Sequence, residues 1–142
     1  MLVAEILKTK GDVVFTLTPD ATVAEAAAQL VARQVGALIV CEGDRVAGVL
    51  SERDIVRALA RQGAAALDQP VSAHMTAKVI FAEPGEGVDV LMGRMTDRRI
   101  RHLPVMKDGR LCGVISIGDV VKCQIDEATR EAESLKSYIG AG

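Results

Sequence analysis

Apolar side chains occur in short runs separated by turn residues, and two pairs of these runs have the pattern of a β-hairpin. In 37–51, branched apolar residues stand on both sides of a Glu-Gly-Asp turn, and in 102–116 they stand on both sides of Lys-Asp-Gly. Short apolar runs around such turn residues are typical of antiparallel strand pairs. The pattern therefore predicts two hairpins, one in each half of the chain.

A short extended stretch and a helical segment precede each predicted hairpin. Before the first hairpin, 13–18 predicts a β-branched strand and 23–34 a helix that Thr22 caps. Before the second hairpin, 78–83 and 88–99 predict the same two elements. Each half therefore reads strand, helix, strand, strand.

A helix is also expected after each hairpin, over 52–63 with its end at Gly63, and from Asp119 onward. The last helix carries an apolar seam with alternating spacings of four and three residues: Val121, Ile125, Ala128, Ala132, Leu135 and Ile139. Such a seam requires a partner surface. Together with the alanine-rich stretch 24–32 it favours a homodimer, although a helix that folds back on its own domain would also satisfy it.

The two halves of the chain are copies of one another. Residues 19–56 align with 84–121 without a gap, at an offset of 65 positions. The identical pairs include Pro19 and Pro84, Val23 and Val88, Arg33 and Arg98, Leu38 and Leu103, Val40 and Val105, Gly48 and Gly113, Ser51 and Ser116, and Asp54 and Asp119. A repeat of this kind predicts two similar units related by a pseudo-twofold axis.

The predicted fold class is α/β (α+β), with two pseudo-symmetric β-α-β-β-α repeats packed sheet to sheet. Three short strands and two helices cannot bury a sheet alone, so we expect one compact module. Along the chain we assign 1–63 to the first repeat with an N-terminal helix and 64–77 to a linker. The second repeat is assigned to 78–124, and 125–142 to an extension of the last helix.

Charge and hydropathy exclude several classes of partner. The chain has 17 basic and 19 acidic residues and a formal net charge of -2, so it lacks the basic field that attracts nucleic acids. Its start has no apolar stretch long enough for a signal peptide, and no segment approaches a membrane span. We therefore expect a cytoplasmic protein without a nucleic-acid or membrane partner.

The same seven-residue motif, Gly-apolar-apolar-Ser-x-x-Asp, ends both hairpins, at 48–54 and at 113–119. It places a hydroxyl at the end of a strand and a carboxylate in the first turn of the next helix, where the two could hold ribose hydroxyls. A serine that caps the helix, with an acidic residue stabilised by the helix dipole, explains a single occurrence equally well. Two copies in matched register favour a ligand.

These features resemble the CBS-motif repeat, whose tandem pairs form Bateman modules that bind adenosine-containing ligands. The resemblance covers nearly the whole chain. It rests on the proline after each first strand, the Leu-Pro-Val of the second hairpin, the Gly-apolar-apolar-Ser-x-x-Asp endings and the tandem arrangement. It implies a non-catalytic regulatory module that binds an adenine nucleotide (AMP, ADP, ATP or NAD), forms a homodimer and acts on a partner protein.

The resemblance also implies two ligand sites. In one site, Ser116 and Asp119 hold the ribose, Arg101 and His102 meet the phosphate with Arg98 and Arg99 nearby, and Lys10, Gly11, Asp12 and Val13 border the adenine. In the pseudo-symmetric site, Ser51 and Asp54 hold the ribose, and Thr76, Ala77, Lys78 and Val79 lie near the base.

The two implied sites are not equivalent. Where the second copy has Arg101 and His102, the first has Gly36 and Ala37. We therefore expect the Asp119 site to bind an anionic nucleotide more tightly. The arginines at 98–101 could instead be a solvated helix end, where cations are favoured by the helix dipole.

Two other functions remain open from the sequence: an interaction module that binds no nucleotide, and an enzyme such as a nucleotide hydrolase. Enzymatic chemistry is the weakest, because only two histidines and three cysteines occur and none has metal-ligand spacing. No base pairs with a serine as in a Ser-His-Asp triad, and neither the dinucleotide-binding nor the P-loop glycine pattern is present. We therefore predict no metal and no catalytic cofactor.

Overall fold

The computed structural model describes residues 1–11 and 13–141. The helices are α1 (Val3–Lys10), α2 (Val23–Arg33), α3 (Glu52–Gln62), α4 (Val88–Arg98) and α5 (Ile117–Ala141). The strands are β1 (Thr16–Leu17), β2 (Ala37–Glu42), β3 (Arg45–Ser51), β4 (His102–Lys107) and β5 (Arg110–Ser116). Two short 3-10 segments, Gly63–Asp68 and Val71–Ala73, lie between α3 and α4. The mixed α/β class predicted from the sequence is confirmed.

Both predicted hairpins are present, and their registers are identical at the repeat offset. Strand β2 pairs antiparallel with β3 from Ala37 opposite Ser51, and β4 pairs with β5 from His102 opposite Ser116. Each hairpin has a register shift at the same place, after Val40 in the first and after Val105 in the second. The repeat in sequence is therefore also a repeat in backbone geometry.

The first strand of each repeat is shorter than predicted. Only Thr16 and Leu17 of the predicted 13–18 pair with β2, in parallel, and the predicted 78–83 is reduced to one bridge between Ala82 and Val105. The prediction of a full strand over 78–83 was wrong because the chain turns there, with the Val79 amide donating to the Ala77 carbonyl at 3.1 Å. The residues before that bridge face a cavity instead of a neighbouring strand.

Helix ends follow the predicted chemistry. The Thr22 hydroxyl accepts from the Glu25 amide at 3.1 Å, and the Glu25 carboxylate accepts from the Thr22 amide at 3.1 Å, which completes a capping box at the start of α2. Helices α2 and α4 both end at a residue in the left-handed region, Gln34 and Arg99, which are 65 positions apart. Helix α3 ends at Gly63, as expected.

The hydrophobic core has two parts, and each contains a segment from outside its own β-α-β-β-α unit. The core of the second repeat includes Val3 and Ile6 of α1, and the core of the first includes Val71. Backbone hydrogen bonds fix the N-terminal segment there, from the Val3 amide to the Glu86 carbonyl and from the Val88 amide to the Met1 carbonyl. The N-terminal helix, which precedes the first repeat along the chain, thus packs against the second.

Helix α5 packs on its own domain only near its start. Val120 and Cys123 are buried, whereas Ile125 is 59% exposed and Leu135 is 61% exposed. The predicted seam faces away from the core, and residues 128–140 are all exposed. The helix does not fold back on its own domain. No helix in the described part of the chain is long and apolar enough to cross a bilayer.

Close backbone approach at Gly48 generates a prediction about stability. A Cβ at this position would lie 2.6 Å from Met75 Sδ and 2.9 Å from the Thr76 carbonyl oxygen. Because a backbone atom cannot move aside as a side chain can, we expect Gly48→Ala to lower the free energy of unfolding by about 1–3 kcal/mol in urea denaturation.

Gly93→Ala is the matched control, since Gly93 is exposed within α4 and an added Cβ there meets nothing within 4 Å. It should raise the free energy of unfolding by up to about 1 kcal/mol, because alanine favours a helix more than glycine does. Wild-type stability in Gly48→Ala would contradict the tight packing described for β3.

Candidate functional site

A cavity of about 250 Å³ lies between the two repeats. Its wall is built by the end of β3 and the start of α3, by the segment before the Ala82 bridge, and by the connection from α4 to β4. The lining residues are Gly36, Val49, Ser51, Glu52, Arg53, Asp54, Arg57, Thr76, Lys78, Val79, Ile80, Arg99, Ile100, Arg101 and His102. Concave, partly apolar sites with a few convergent polar groups are the usual form of a small-molecule site.

Asp54 is the buried acid of this cavity, with 8% of its surface exposed. Its Oδ2 accepts from the Ser51 amide at 2.8 Å and from the Ser51 hydroxyl at 3.1 Å, while the Asp54 amide donates to Ser51 Oγ at 3.3 Å. Arg57 Nη1 lies 3.6 Å from Oδ1, which is beyond hydrogen-bonding distance. Oδ1 accepts no hydrogen bond among the described residues and forms only an ion pair with Arg57, while Oδ2 caps α3.

The helix cap and the ligand acceptor are thus compatible at Ser51 and Asp54. The capping alternative raised by the sequence is correct for both serines, since Ser116 Oγ likewise accepts from the Asp119 amide at 3.2 Å. Capping uses one carboxylate oxygen of Asp54 and orients the other. The motif therefore holds the carboxylate rigidly at the edge of the cavity.

The segment expected near the base lies beside the Asp54 carboxylate. Thr76 forms two backbone hydrogen bonds with Val49, of 3.0 and 2.9 Å, which fix it along β3. Thr76, Lys78 and Val79 line the cavity, as does Ile80, whereas Ala77 does not belong to the wall. Three of the four residues predicted for this part of the site are therefore next to Asp54.

Positive charge dominates the wall. Five cationic side chains line the cavity, Arg53, Arg57, Lys78, Arg99 and Arg101, against two carboxylates, Glu52 and Asp54. With a neutral His102, the excess is three positive charges. A cleft lined by one sign of charge concentrates ligands of the opposite sign, so the cavity favours an anion.

Arg99, Arg101 and His102, which the sequence groups with Asp119, line the Asp54 cavity. The start of β4 lies against the first repeat at Gly36, where an added Cβ would meet His102 Nε2 at 3.2 Å. His102 also pairs with Ser116 across the second hairpin and is near the Asp119 charge. The expectation of tighter anion binding at Asp119 stays a prediction.

His102 is half-buried between charges from both repeats. Burial lowers its pKa, and the nearby Lys10 ammonium and Arg101 guanidinium lower it further, whereas Glu52 and Asp119 act in the opposite direction. The net effect is a pKa below the usual 6.5, so the imidazole is neutral at neutral pH.

The Asp119 carboxylate already has a cationic partner. Lys10 Nζ lies 2.6 Å from Asp119 Oδ2 and 2.8 Å from the Val114 carbonyl oxygen, and the Ser116 amide donates to the same Oδ2 at 2.8 Å. Burial opposes ionisation of Asp119, but the hydrogen bonds from Lys10 and Ser116 outweigh it and leave the pKa below its ordinary value.

The other residues predicted to border adenine in that site are Gly11, Asp12 and Val13. Gly11 follows Lys10 with φ +100° and is exposed, and Val13 is also exposed. Asp12 lies outside the described residues. Of the group predicted to border adenine at Asp119, the structure places Lys10 in contact with the carboxylate itself.

Sequence reasoning missed Arg57, Arg53, Glu52 and Ile80 as members of the cavity wall. Arg57 could have been found, because it stands three positions after Asp54 on one helix and residues at that spacing share a face. The others depend on how the repeats meet. In the described residues, no group of three or more His, Cys, Asp or Glu side chains is arranged as metal ligands.

Comparison with known proteins identifies the family. The CBS domain model matches residues 3–61 and 71–126, and the chain belongs to this family. It is 36% identical to the CBS domain-containing protein CBSX3, mitochondrial, of Arabidopsis thaliana, over 99% of this chain and 72% of that protein.

Solved structures resemble the whole fold. A CBS-domain containing protein from Agrobacterium tumefaciens is 46% identical over 87% of this chain and 99% of that chain, with a TM-score of 0.86. The protein MJ0100 CBS domain pair, in complex with 5-methylthioadenosine and S-adenosyl-L-methionine, is 26% identical over 89% and 98% (TM-score 0.80). A CBS domain protein from Pyrobaculum aerophilum, complexed with AMP, is 32% identical over 84% and 89% (TM-score 0.75).

The surroundings of His102 predict its titration. We expect its imidazole carbon signals in an NMR pH titration to give a midpoint below 6.5, because burial and Lys10 disfavour the proton. By linkage, the stability that depends on neutral His102 is fully present above about pH 6.5 and is lost as the pH falls through the lower folded-state value.

His74→Gln leaves a single histidine signal and so assigns the titration, since His74 and His102 are the only histidines. Lys10→Met should raise the His102 midpoint, because it removes a nearby positive charge. A midpoint at or above 6.5 in wild type would contradict this description of the site.

Proposed function

We propose that this chain is a regulatory module that binds an adenine nucleotide in the Asp54 cavity and performs no catalysis. One observation carries the proposal: a rigid, buried carboxylate and a group of arginines face the same cavity from different repeats. A nucleotide has both complements, the donor hydroxyls of its ribose and the anionic oxygens of its phosphate.

The proposed arrangement assigns one part of the nucleotide to each part of the wall. The ribose hydroxyls donate to Asp54, whose Oδ1 retains acceptor capacity, with Ser51 beside it. The adenine lies against Val79 and Ile80, near the backbone of Thr76. The phosphate meets Arg101, with Arg99 and a neutral His102 as neighbours. Hydrogen bonds from Ser51 hold the Asp54 carboxylate, so the ribose part of the site needs little ordering on binding.

Charge supports a phosphorylated ligand. The excess positive charge of the wall favours AMP, ADP, ATP or NAD over S-adenosylmethionine, whose sulfonium is itself cationic. AMP is the ligand of the Pyrobaculum relative, and 5-methylthioadenosine and S-adenosylmethionine are those of the MJ0100 pair. An adenosine group is common to all three.

The regulatory role follows from the position of the cavity. Both repeats contribute to the cavity wall, so a bound nucleotide links the repeats. It stabilises the arrangement in which the separation of the repeats allows one nucleotide to contact both. A ligand shifts a population only through such a difference in affinity between states. The output passes to a partner protein.

We further propose that the chain forms a homodimer through α5. The buried Val120 and Cys123 define the inward face of this helix, and the exposed seam that contains Ile125 and Leu135 lies on another face. In a heptad assignment with Ile125, Ala132 and Ile139 at a and Ala128 and Leu135 at d, Glu131 occupies g and Lys136 the following e. In a parallel dimer these two charges pair across the seam, twice by symmetry.

The nucleotide proposal predicts the effect of two matched substitutions. Asp54→Asn keeps an acceptor for the Ser51 amide but removes the charge, so AMP should bind about 10- to 100-fold more weakly in calorimetric titration, since a hydrogen bond to a charged group contributes about 1.5–3 kcal/mol. Asp119→Asn should change the affinity less than about twofold, because Asp119 does not line the cavity.

Arg101→Gln should also weaken AMP and ATP about 10-fold, and adenosine hardly at all, since only the phosphate contact is lost. Arg110→Gln is its control, because Arg110 lies at the other end of β5 from Ser116. Titrations with NAD and S-adenosylmethionine rank the ligands. Absence of binding for every ligand would favour an interaction module that binds no nucleotide. A larger loss of AMP affinity in Asp119→Asn than in Asp54→Asn would support the tighter site at Asp119.

The dimer proposal predicts a charge-swap result in analytical ultracentrifugation. Wild type should sediment at twice the mass of one chain at micromolar concentration. Glu131→Lys should dissociate several-fold more readily because it places lysines opposite Lys136, and Glu131→Lys with Lys136→Glu should restore the dimer.

Leu135→Asp should abolish the dimer, since it places a charge in the seam, whereas Ser134→Asp, one position away and outside the seam, should not. A wild-type protein that sediments as one chain would refute this interface. A failure to recover in the double variant would refute the parallel pairing.

A further inference from the structure

The two Ser-x-x-Asp motifs differ in the chain segment that crosses the strand preceding each motif. Leu7 over Gly113 is the counterpart of Met75 over Gly48, so Lys10 corresponds in position to Lys78, which lines the Asp54 cavity. The strands behind them match, with Gly48 corresponding to Gly113. The difference between the sites therefore comes from the segment that crosses each strand and not from the motif.

In the first repeat, the crossing segment pairs through its backbone. Met75 packs over Gly48, and Thr76 exchanges both of its hydrogen bonds with Val49. No side chain of this segment hydrogen-bonds to Asp54 among the described residues, and the acid faces the cavity.

In the second repeat, a side chain replaces that backbone pairing. Helix α1 crosses β5 with Leu7 over Gly113, and the Lys10 ammonium donates to the carbonyl of Val114, the counterpart of Val49. The same ammonium donates to Asp119. Donors from Lys10 and Ser116 therefore converge on one oxygen of the carboxylate, and the ion pair neutralises its charge.

Lys10 is held in this position by the fold. It is the last residue of α1, whose Val3 and Ile6 are buried in the core of the second repeat. The side chains of Lys10 and Asp119 are 38% and 22% exposed, so the pair is partly shielded from solvent. A ribose hydroxyl that donates to the Asp119 carboxylate would compete with this ammonium, whereas no lysine hydrogen-bonds to Asp54 among the described residues.

We propose that Lys10 closes the Asp119 site to nucleotides and so sets the capacity of the chain at one nucleotide. The inference rests on the proposed function, because it assumes that the open counterpart at Asp54 takes the nucleotide. Lys10 binds its carboxylate, whereas Lys78 does not, and this difference distinguishes two otherwise equivalent motifs. Methionine at position 10 removes the ammonium and is expected to open the second site.

The test is calorimetric titration with AMP of wild type, Lys10→Met and Lys10→Met with Asp119→Asn. We expect one AMP per chain in wild type, two in Lys10→Met and one again in the double variant. Lys8→Met, an exposed lysine of the same helix, is the control and should keep one. Two AMP in wild type, or one in Lys10→Met, would overturn the inference.

The design separates failure of this inference from failure of the proposed function. If wild type binds no AMP, the proposed function fails at Asp54, and Lys10→Met still decides the inference: one AMP that disappears in the double variant supports it, and none overturns it. Circular dichroism and thermal unfolding of each variant establish that a missing site does not reflect an unfolded chain.

Amine labelling gives a readout that needs no nucleotide. Because Asp119 and Val114 hold the ammonium, Asp119→Asn should increase the acylation rate of Lys10 several-fold relative to Lys8, as followed by peptide mass spectrometry. Equal rates in wild type and Asp119→Asn would show that the carboxylate does not hold Lys10, and the inference would fail.

Discussion

Neither repeat can bury its own small sheet, and the fold depends on this constraint. Each sheet has two or three strands, and each core is completed by a segment from outside the unit, α1 for the second repeat and the 3-10 segment at Val71 for the first. These crossing segments run directly over the strands at Gly113 and Gly48. Burial of apolar surface therefore decides which chain segment lies next to each Ser-x-x-Asp motif.

The proposed functional difference between the two Ser-x-x-Asp sites arises from this packing. One crossing segment presents backbone to its strand and leaves a carboxylate open to a cationic cavity, while the other presents Lys10, which neutralises the second carboxylate. In both motifs the serine amide donates to the aspartate carboxylate and the aspartate amide donates to the serine hydroxyl. Capping therefore gives the two carboxylates the same local geometry. In the proposed function, a neighbouring residue and not the motif sets the binding capacity.

Arg99 and Arg101 show that one candidate site is built from residues of both repeats. Arg99 and Arg101 follow α4 in the second repeat but line a cavity with Asp54 of the first. A nucleotide in that cavity would therefore contact both repeats, and its phosphate and ribose would report on their separation. This geometry suits a sensor, because a ligand that bridges two packed units is sensitive to their relative position.

The sequence by itself determined the repeat, both hairpins, the caps at Thr22 and Ser51, and the two candidate carboxylates, because these follow from local periodicity and hydrogen bonding along the chain. It did not determine that 78–83 pairs with the sheet only at Ala82, that Arg101 and His102 line a cavity with Asp54, or that Lys10 binds Asp119. Those facts depend on contacts between segments far apart in sequence. Only the tertiary structure decides them, because the packing of one repeat against the other selects which side chains meet.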